Sequence, residues 1–448
     1  MKIVFFERSP FMGVELLDLL RDFVIVSYDK DLAYMFLKKR WPLCSYGNTD
    51  FSMNIGNDTA VENMLTNATF TKHLRVDSPK IKALFFYMNP QINKAARDAG
   101  FGLLLPEYEI QERLGNKFNI GYISTKLKLL ENRTMIFRSK NDLEDAFSRC
   151  IAKLGLPFMI QGPDGVSGED TFLIKDASEL DTAIRALNNG FKAAKFIKHN
   201  IPLSVHVCIE KENIVVRGPF IQLIGFPELA TSRYQFCGND TNQSLLTKKI
   251  IETIREISTE VAGYFRAEGY LGILGIDFFW DTDSNGIYLQ ELNTRLVGLT
   301  RLLTGIQKDQ DNYPDILRHL EAFGFSDFQH DVEHMDKDKE LDLDTCEYTQ
   351  LIITNTDTTE AIIFRDVSPG IYEYKDKSLH FIGPSLFLSE IEKNHILLAY
   401  VAPKTRVVQS GGVLARILLK RTALMRGVYE LDPHVRELII AFREFIIS

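Results

Sequence analysis

The chain has 448 residues, 45% of them hydrophobic and 25% charged, an ordinary globular balance with room for two or three separately buried cores. A net charge of −8 argues against a nucleic-acid partner, which needs a basic surface, and no apolar stretch approaches the roughly 18 residues that would span a membrane. Five scattered cysteines (Cys44, Cys150, Cys208, Cys237, Cys346) show no metal-type spacing and fit a reducing cytoplasm.

The opening KIVFF reads as a strand rather than a signal peptide, because Glu7, Arg8 and Pro10 follow at once. Met12–Asp22 has helical spacing, and FVIVSYD, ending at Asp29, is a second strand. KALFFYM over Lys82–Met88 is a third, followed by a helix over Ile92–Ala99. This alternation predicts parallel βαβ units over residues 1–115. No G-x-G-x-x-G follows the first strand, which argues against a dinucleotide site there. A second region, 116–325, mixes helices and strands. The acidic DFQHDVEHMDKDKELDLD, within 326–344, reads as a solvated linker. His330 and His334 stand four apart in it, as zinc ligands on a helix would, in surroundings that favour a surface helix or loop. The last region, 345–448, opens on strand-like YTQLIIT and EAIIF and closes in an amphipathic helix over Pro433–Ile447.

The most informative stretch is LGILGIDFFWDTDSNGIYLQELNTRLVGLT, Leu271–Thr300. Two apolar runs flank Asp281–Gly286, whose Asn285-Gly286 is a common hairpin turn. Symmetric pairing about residue 284 sets Asp277 opposite Glu291. Strand alternation then puts Asn293 and Arg295 on the face of Glu291, with Ile276, Phe278 and Leu292 on the other. Two carboxylates directly across a strand pair repel each other. A cation removes that penalty, and oxygen ligands favour Mg²⁺ or Mn²⁺. The alternative is a surface patch in which Arg295 pairs with Glu291.

Two weaker signals precede it. Leu156–Ile174 reads as strand, loop, strand, and the loop Gly162–Asp170 carries three glycines and Ser167, a composition that lets backbone N–H groups approach phosphate but that also suits a plain hairpin turn. AAKFIKHN, Ala193–Asn200, followed by LSVHVCIE, is either a connector with a free backbone edge for an adenine or two adjacent strands of one sheet. The segment Arg217–Asp240 is expected at the mouth of the site, with Arg217 and Arg233 as carboxylate binders or as partners in surface salt bridges.

In order, these motifs resemble the ATP-grasp superfamily. GIDFFWD…GIYLQELNTR is similar to its metal-binding hairpin, in which an acidic residue precedes an E-x-N-x-R strand. The resemblance implies that Glu291, Asn293 and Asp277 bind Mg²⁺ (or Mn²⁺) and that Arg295 contacts the reacting phosphoryl or acyl group. LGNKFNIGYISTK looks like the opening segment, whose lysine, here Lys117, contacts ATP phosphates. Gly165, Ser167 and Gly168 match the phosphate-covering loop, and Lys195, Phe196 and Ile197 the adenine-clamping linker. Where the strand before the loop usually ends in a phosphate-binding lysine this chain has Gln161, as in pheganomycin-type peptide ligases. Biotin carboxylases share the layout, but no biotin-attachment segment is present.

The implied fold is α/β (α+β in part). It has a Rossmann-like pre-ATP-grasp domain over 1–115, an ATP-grasp domain over 116–325 and a C-terminal cap over 345–448. The implied activity is an ADP-forming ligase joining an amino acid, peptide or other small carboxylate to an amine through an acyl phosphate, in a cytoplasmic protein for which a homodimer is one expected state. The alternatives are another ATP-grasp phosphotransferase or carboxylase, and an ATP-binding module without turnover.

Overall fold

The computed structural model describes residues 2–51, 55–76, 80–127, 129, 134–138, 146–162, 170–187, 190–326, 328, 332, 334–343 and 347–447. Its first sheet comprises β1 (Lys2–Glu7), β2 (Phe23–Asp29), β3 (Leu43–Asn48), β4 (Ile81–Phe85) and β5 (Gly102–Leu103), in the order β3-β2-β1-β4-β5. All the pairs are parallel. Strands such as KIVFFE and FVIVSYD are apolar nearly throughout because a parallel sheet is covered on both faces. The order reverses between β1 and β4, and in open parallel sheets the carboxyl ends at such a reversal are where ligands commonly bind. The helix expected over Met12–Asp22 is reduced to a single 3₁₀ turn, Val14–Leu16. Val14, Leu16, Leu17, Leu19 and Leu20 are all buried, so this segment has no solvent face of the kind a surface helix needs.

A second, antiparallel sheet contains β6 (Thr134–Phe137), β7 (Phe158–Gln161), β8 (Thr171–Ile174) and β9 (Phe191–Lys195), ordered β6-β9-β7-β8. Phe158, Ile160, Phe191 and Ala193 pack on one face against Cys150, Leu154, Leu180 and Ala183 of the helices Ala146–Leu154 and Ala177–Ala186. Alternation sends Met159, Gln161 and Lys192 to the other face.

The large sheet begins with β10 (Asn200–Ile209), β11 (Ile214–Ile224), β12 (Phe236–Asp240), β13 (Gly272–Asp281), β14 (Ile287–Asn293) and β15 (Thr349–Thr354). After the short β16 (Ala361–Ile362), which pairs with β20 (Val407–Val408), it continues through β17 (Gly370–Lys375), β18 (Ser378–Gly383), β19 (His395–Val401) and β21 (Val413–Leu419). Its ten strands run β14-β13-β10-β11-β12-β15-β21-β19-β17-β18. Strand β15 pairs with β12, so the region 345–448 extends the sheet of the preceding region and shares its core. The closing helix spans Pro433–Ile447 and buries Val435, Leu438, Ile439, Phe442 and Ile446.

The acidic segment is docked at several of its described residues. Asn312 donates to the carbonyls of Lys339 and Glu340, each at 3.1 Å, and Val332 is buried. His334 is exposed and His330 lies outside the described residues. No three His, Cys, Asp or Glu side chains converge as a metal site among the described residues.

Candidate functional site

The β13–β14 hairpin closes through Asp281 N–H to Gly286 carbonyl at 2.8 Å, with Asn285 at φ 57°, the left-handed conformation that an asparagine tolerates in a tight turn. Trp280 pairs with Ile287 and Phe278 with Leu289, after which a bulge lets Asp277 face Glu291. The expected pairing is therefore present, but by a different route. Ile287 and Leu289 point into the core, and strict alternation would send Glu291 in after them. The extra residue, Gln290, turns Glu291 outward and Leu292 inward.

Around this bulge the polar groups converge. Asn293 Nδ2 donates to Asp277 Oδ2 at 3.0 Å, and Gln222 Nε2, from β11, donates to Asp277 Oδ1 at 2.9 Å. Arg295 Nη2 donates to Asn293 Oδ1 at 3.0 Å, which lines Arg295, Asn293 and Asp277 up as a chain. Burial, and then the Glu291 carboxylate opposite, push the Asp277 pKa up to about 7. Hydrogen bonds from Ser204 and Gln222 and the Arg295 charge only partly offset them. Lys117 reaches Glu291 from outside the sheet, Nζ to Oε1 at 3.6 Å.

The small sheet faces this hairpin. Lys192, 1% exposed, pairs directly with Gln161 across β7 and β9, and its ammonium donates to the Gln290 carbonyl at 3.4 Å. Burial pulls its pKa down to about 8, with Glu291 working against that and Lys117 adding to it. Two lysines thus flank Glu291 across the gap between the sheets. Lys192 was not singled out from sequence, though the alternation in FKAAK puts it opposite Phe191 and Ala193. Gln222 was likewise missed, although it falls in the segment expected at the mouth of the site.

Other expected residues are placed as follows. Gln161 ends β7 at the foot of the phosphate loop, and Gly165, Ser167 and Gly168 lie outside the described residues. Strand β9 belongs to the small sheet and β10 to the large one, so 196–199 is a connector between sheets, with Ile197 buried, Phe196 half-buried and Lys195 exposed. Arg217 is not brought to the hairpin cluster. It pairs with Asp315 at 3.5 Å, inside a buried group with His206 and Arg318. That ion pair, made far along the chain, uses up the charge that suggested a substrate contact. Arg233 is exposed on the loop before β12 and hydrogen-bonds Tyr234.

No family model matches the sequence, and no curated protein does. Solved structures match over nearly the whole chain. The biotin carboxylase domain of Hydrogenobacter thermophilus 2-oxoglutarate carboxylase, solved with MgADP, ADP and bicarbonate, is similar with a TM-score of 0.61 at 13% identity, over 94% of this chain and 86% of that one. N5-carboxyaminoimidazole ribonucleotide synthetase from Thermotoga maritima gives 0.54 at 13% over 99% and 97%. The Aspergillus clavatus enzyme, solved with ADP and 5-aminoimidazole ribonucleotide, gives 0.56 at 12% over 98% and 96%. This is the ATP-grasp fold. Both groups of neighbours are ATP-grasp enzymes of similar layout, and the parallel and antiparallel sheets of this chain match them.

A divalent cation fits the donor set of this fold's hairpin. Asp277 and Glu291 supply carboxylate oxygens and Asn293 an amide oxygen, and burial first and the facing Glu291 second raise the Asp277 pKa, both of which a bound cation would oppose. Two carboxylates plus phosphate oxygens are the usual setting for Mg²⁺ rather than zinc.

Proposed function

We propose that the chain is an ADP-forming carboxylate–amine ligase that uses ATP with Mg²⁺ or Mn²⁺ and acts on an amino acid, peptide or other small carboxylate. The observation that supports this most is the facing of Asp277 and Glu291 on the hairpin, bracketed by Lys117 and by Lys192 of the opposing sheet. It is a paired acidic and basic surface fitted to a metal–polyphosphate. The metal would be held by Glu291, Asn293 and Asp277, and when bound it neutralises charge on the ATP phosphates. Lys117 and Lys192 add cationic donors on the phosphate side, and the 196–199 connector together with Ile197 supplies an edge for the adenine. Catalysis of phosphoryl transfer is mostly positioning and charge neutralisation, which is what this frame offers.

In this reading the substrate carboxylate attacks the γ-phosphorus, forming a C–O–P bond as the bond to ADP breaks. Arg295, held by Asn293, steadies the transferring phosphoryl group and then the oxyanion made when an amine attacks the acyl phosphate. The amine takes the acyl carbon and inorganic phosphate leaves. Bicarbonate as the carboxylate is a second reading, favoured by the neighbour solved with bicarbonate.

The test is a pairwise screen of amino acids, peptides and bicarbonate for ADP release, with mass spectrometry of products and hydroxylamine added when the amine is withheld. ADP and phosphate in step with product, and a hydroxamate in the trap, are expected. AMP and pyrophosphate as stoichiometric products would rule the mechanism out.

A further inference from the structure

The N-terminal sheet meets the hairpin at one end and holds a cavity at the other. Arg295 lies over the rings of Phe86 and Tyr87, just past the carboxyl end of β4, at 5.5 and 5.9 Å. The cavity, of about 430 Å³, opens at the amino ends of β1, β2 and β3. Lys2, Val24 and Leu43 line it, each the first or second residue of its strand. β1 has six residues, about 20 Å of strand, which separates this end from the other. The helices Leu32–Leu37 and Ala68–Val76 wall it with Tyr34 and Phe70, and Lys30, just past β2, continues the lining along the sheet edge.

The lining is one-sided in charge. Lys2, Lys30, Lys38 and His73 all belong to it, and no acidic side chain does among the described residues, in a chain whose net charge is −8. None of the three lysines forms an ion pair with a described residue. Lys38 instead donates to the Tyr34 hydroxyl at 2.9 Å, a contact that raises the lysine's pKa and keeps it charged. Burial raises the pKa of the half-buried Cys44 thiol, while Lys2 and then Lys38 pull it back, so both ammonium groups stand close to one sulfur on the cavity wall. The acids on either side of Lys30 are engaged elsewhere. Asp29 takes Arg8 at 3.1 Å and Arg406 at 3.0 Å, and Asp31 takes the Ser9 hydroxyl and the Tyr34 N–H. Like charges gathered around one cavity repel each other, and a bound anion removes that cost.

Size and chemistry narrow the ligand. Ammonium groups are compact charges on flexible stems, suited to the several oxygens of a phosphate. A phosphate ester brings roughly two negative charges near neutral pH, enough to answer two close lysines. The cavity is of the size of small-molecule sites rather than of a bare ion. An organic body therefore accompanies the phosphate, with the half-buried Phe70 as its apolar wall.

We propose that this cavity is a second ligand site, which binds a phosphate ester of a small organic molecule, with the phosphate held by Lys2 and Lys38 and with Lys30 and His73 at the rim. It is separate from the hairpin that holds the metal and the ATP phosphates, and it stands whether or not the ligase reading does.

The experiment is calorimetric titration of the full chain with ribose 5-phosphate, ribose and citrate in separate arms, each with and without MgADP. Iodoacetamide labelling of Cys44, read by peptide mass spectrometry, locates the ligand. Ribose 5-phosphate should bind at least about tenfold more tightly than ribose or citrate, with MgADP present or absent. At saturation it should slow Cys44 labelling at least about fivefold, since access governs the reaction of a thiol. Lys2→Gln combined with Lys38→Gln should weaken that binding at least about tenfold, as expected when hydrogen bonds to charged groups are lost, with MgADP affinity unchanged. Should this double variant fail to fold, Lys30→Gln combined with His73→Gln takes its place, with a loss of at least about threefold. No binding of ribose 5-phosphate would overturn the proposal, as would equal affinity in wild type and variant, citrate binding as tightly, or binding that leaves Cys44 labelling unchanged. Ribose 5-phosphate binding that MgADP abolishes would place the ion at the hairpin and overturn the second site. Absence of MgADP binding would strike at the ligase reading alone.

Discussion

Asp277 and Asp315 are both aspartates withdrawn from water, and their surroundings drive them in opposite directions. At Asp315 burial alone would raise the pKa, but His206 at 3.6 Å, Arg217 at 3.5 Å and Arg318 at 3.9 Å together pull it below its ordinary value. At Asp277 burial and the facing Glu291 act together, and the pKa rises to about 7. Three cations hold the first carboxylate in its charged form, whereas the second is driven toward its protonated form although Arg295 counters part of the shift. A charge matched by its own chain serves the structure, whereas a charge kept in a cleft against another of its sign needs something from outside.

The largest expected effect follows from that contrast. Asp315→Asn leaves His206, Arg217 and Arg318 around a neutral amide, and breaking a buried ion pair from one side costs about 3–5 kcal/mol. Asp277→Asn relieves repulsion instead, so in the absence of nucleotide and metal its denaturation midpoint should match or exceed that of the wild type. Chemical denaturation of both variants checks this, and equal losses would erase the distinction.

Next comes Glu291→Gln, which keeps the shape and removes one charge. Turnover should fall at least about a hundredfold, the size found when a charge-stabilising group is lost from an active site, while folding survives. Steady-state ADP release measures it, and unchanged turnover would dismiss the hairpin as the reaction centre.

A smaller effect is expected on the opposing sheet. Lys192→Met should raise the Michaelis constant for ATP by roughly tenfold or more, since hydrogen bonds to charged groups are worth about 1.5–3 kcal/mol; Gln161→Ala should raise it less. Paired residues on an antiparallel ladder carry Cβ atoms about 5 Å apart. The exchange Gln161→Lys with Lys192→Gln should therefore recover part of the loss. If the exchange performs no better than Lys192→Met, Lys192 is a structural lysine.

The smallest is a pH effect. The native pKa of Asp315 lies below its ordinary 3.8, so the unfolded chain binds the proton first as pH falls. The stability that Asp315 contributes is complete above that ordinary value and is lost as pH drops through the native one. The stability gap between wild type and Asp315→Asn should stay constant above about pH 5 and narrow below 4, as followed by urea denaturation at stepped pH.

The hairpin was legible because its signal is local: turn, acidic residue and E-x-N-x-R strand lie within thirty residues of sequence. The bulge at Gln290 was not, although the break from Ile287 and Leu289 to Leu292 is written in the strand. The parallel N-terminal sheet was legible from its apolar runs. Met12–Asp22 was misread as a helix because spacing alone does not show that the segment is buried on every side. Lys192 escaped because its meaning depends on a sheet packing against β14, a contact far along the chain. Arg217 drew a substrate role for the matching reason, since the helix that brings Asp315 to it begins almost a hundred residues later.

The claim that the facing carboxylates Asp277 and Glu291 mark a nucleotide-dependent metal site can be tested without knowing the substrate. Mn²⁺ binding would be followed by electron paramagnetic resonance, with and without ADP, in wild type, Glu291→Gln and Asp315→Asn at a pH where all three are folded. Two carboxylates and an amide make a weak site alone and a firm one once phosphate oxygens join. Wild type and Asp315→Asn should bind Mn²⁺ at least about tenfold more tightly with ADP than without, and Glu291→Gln should lose that gain. The same ADP-dependent affinity in Glu291→Gln as in wild type would contradict the account.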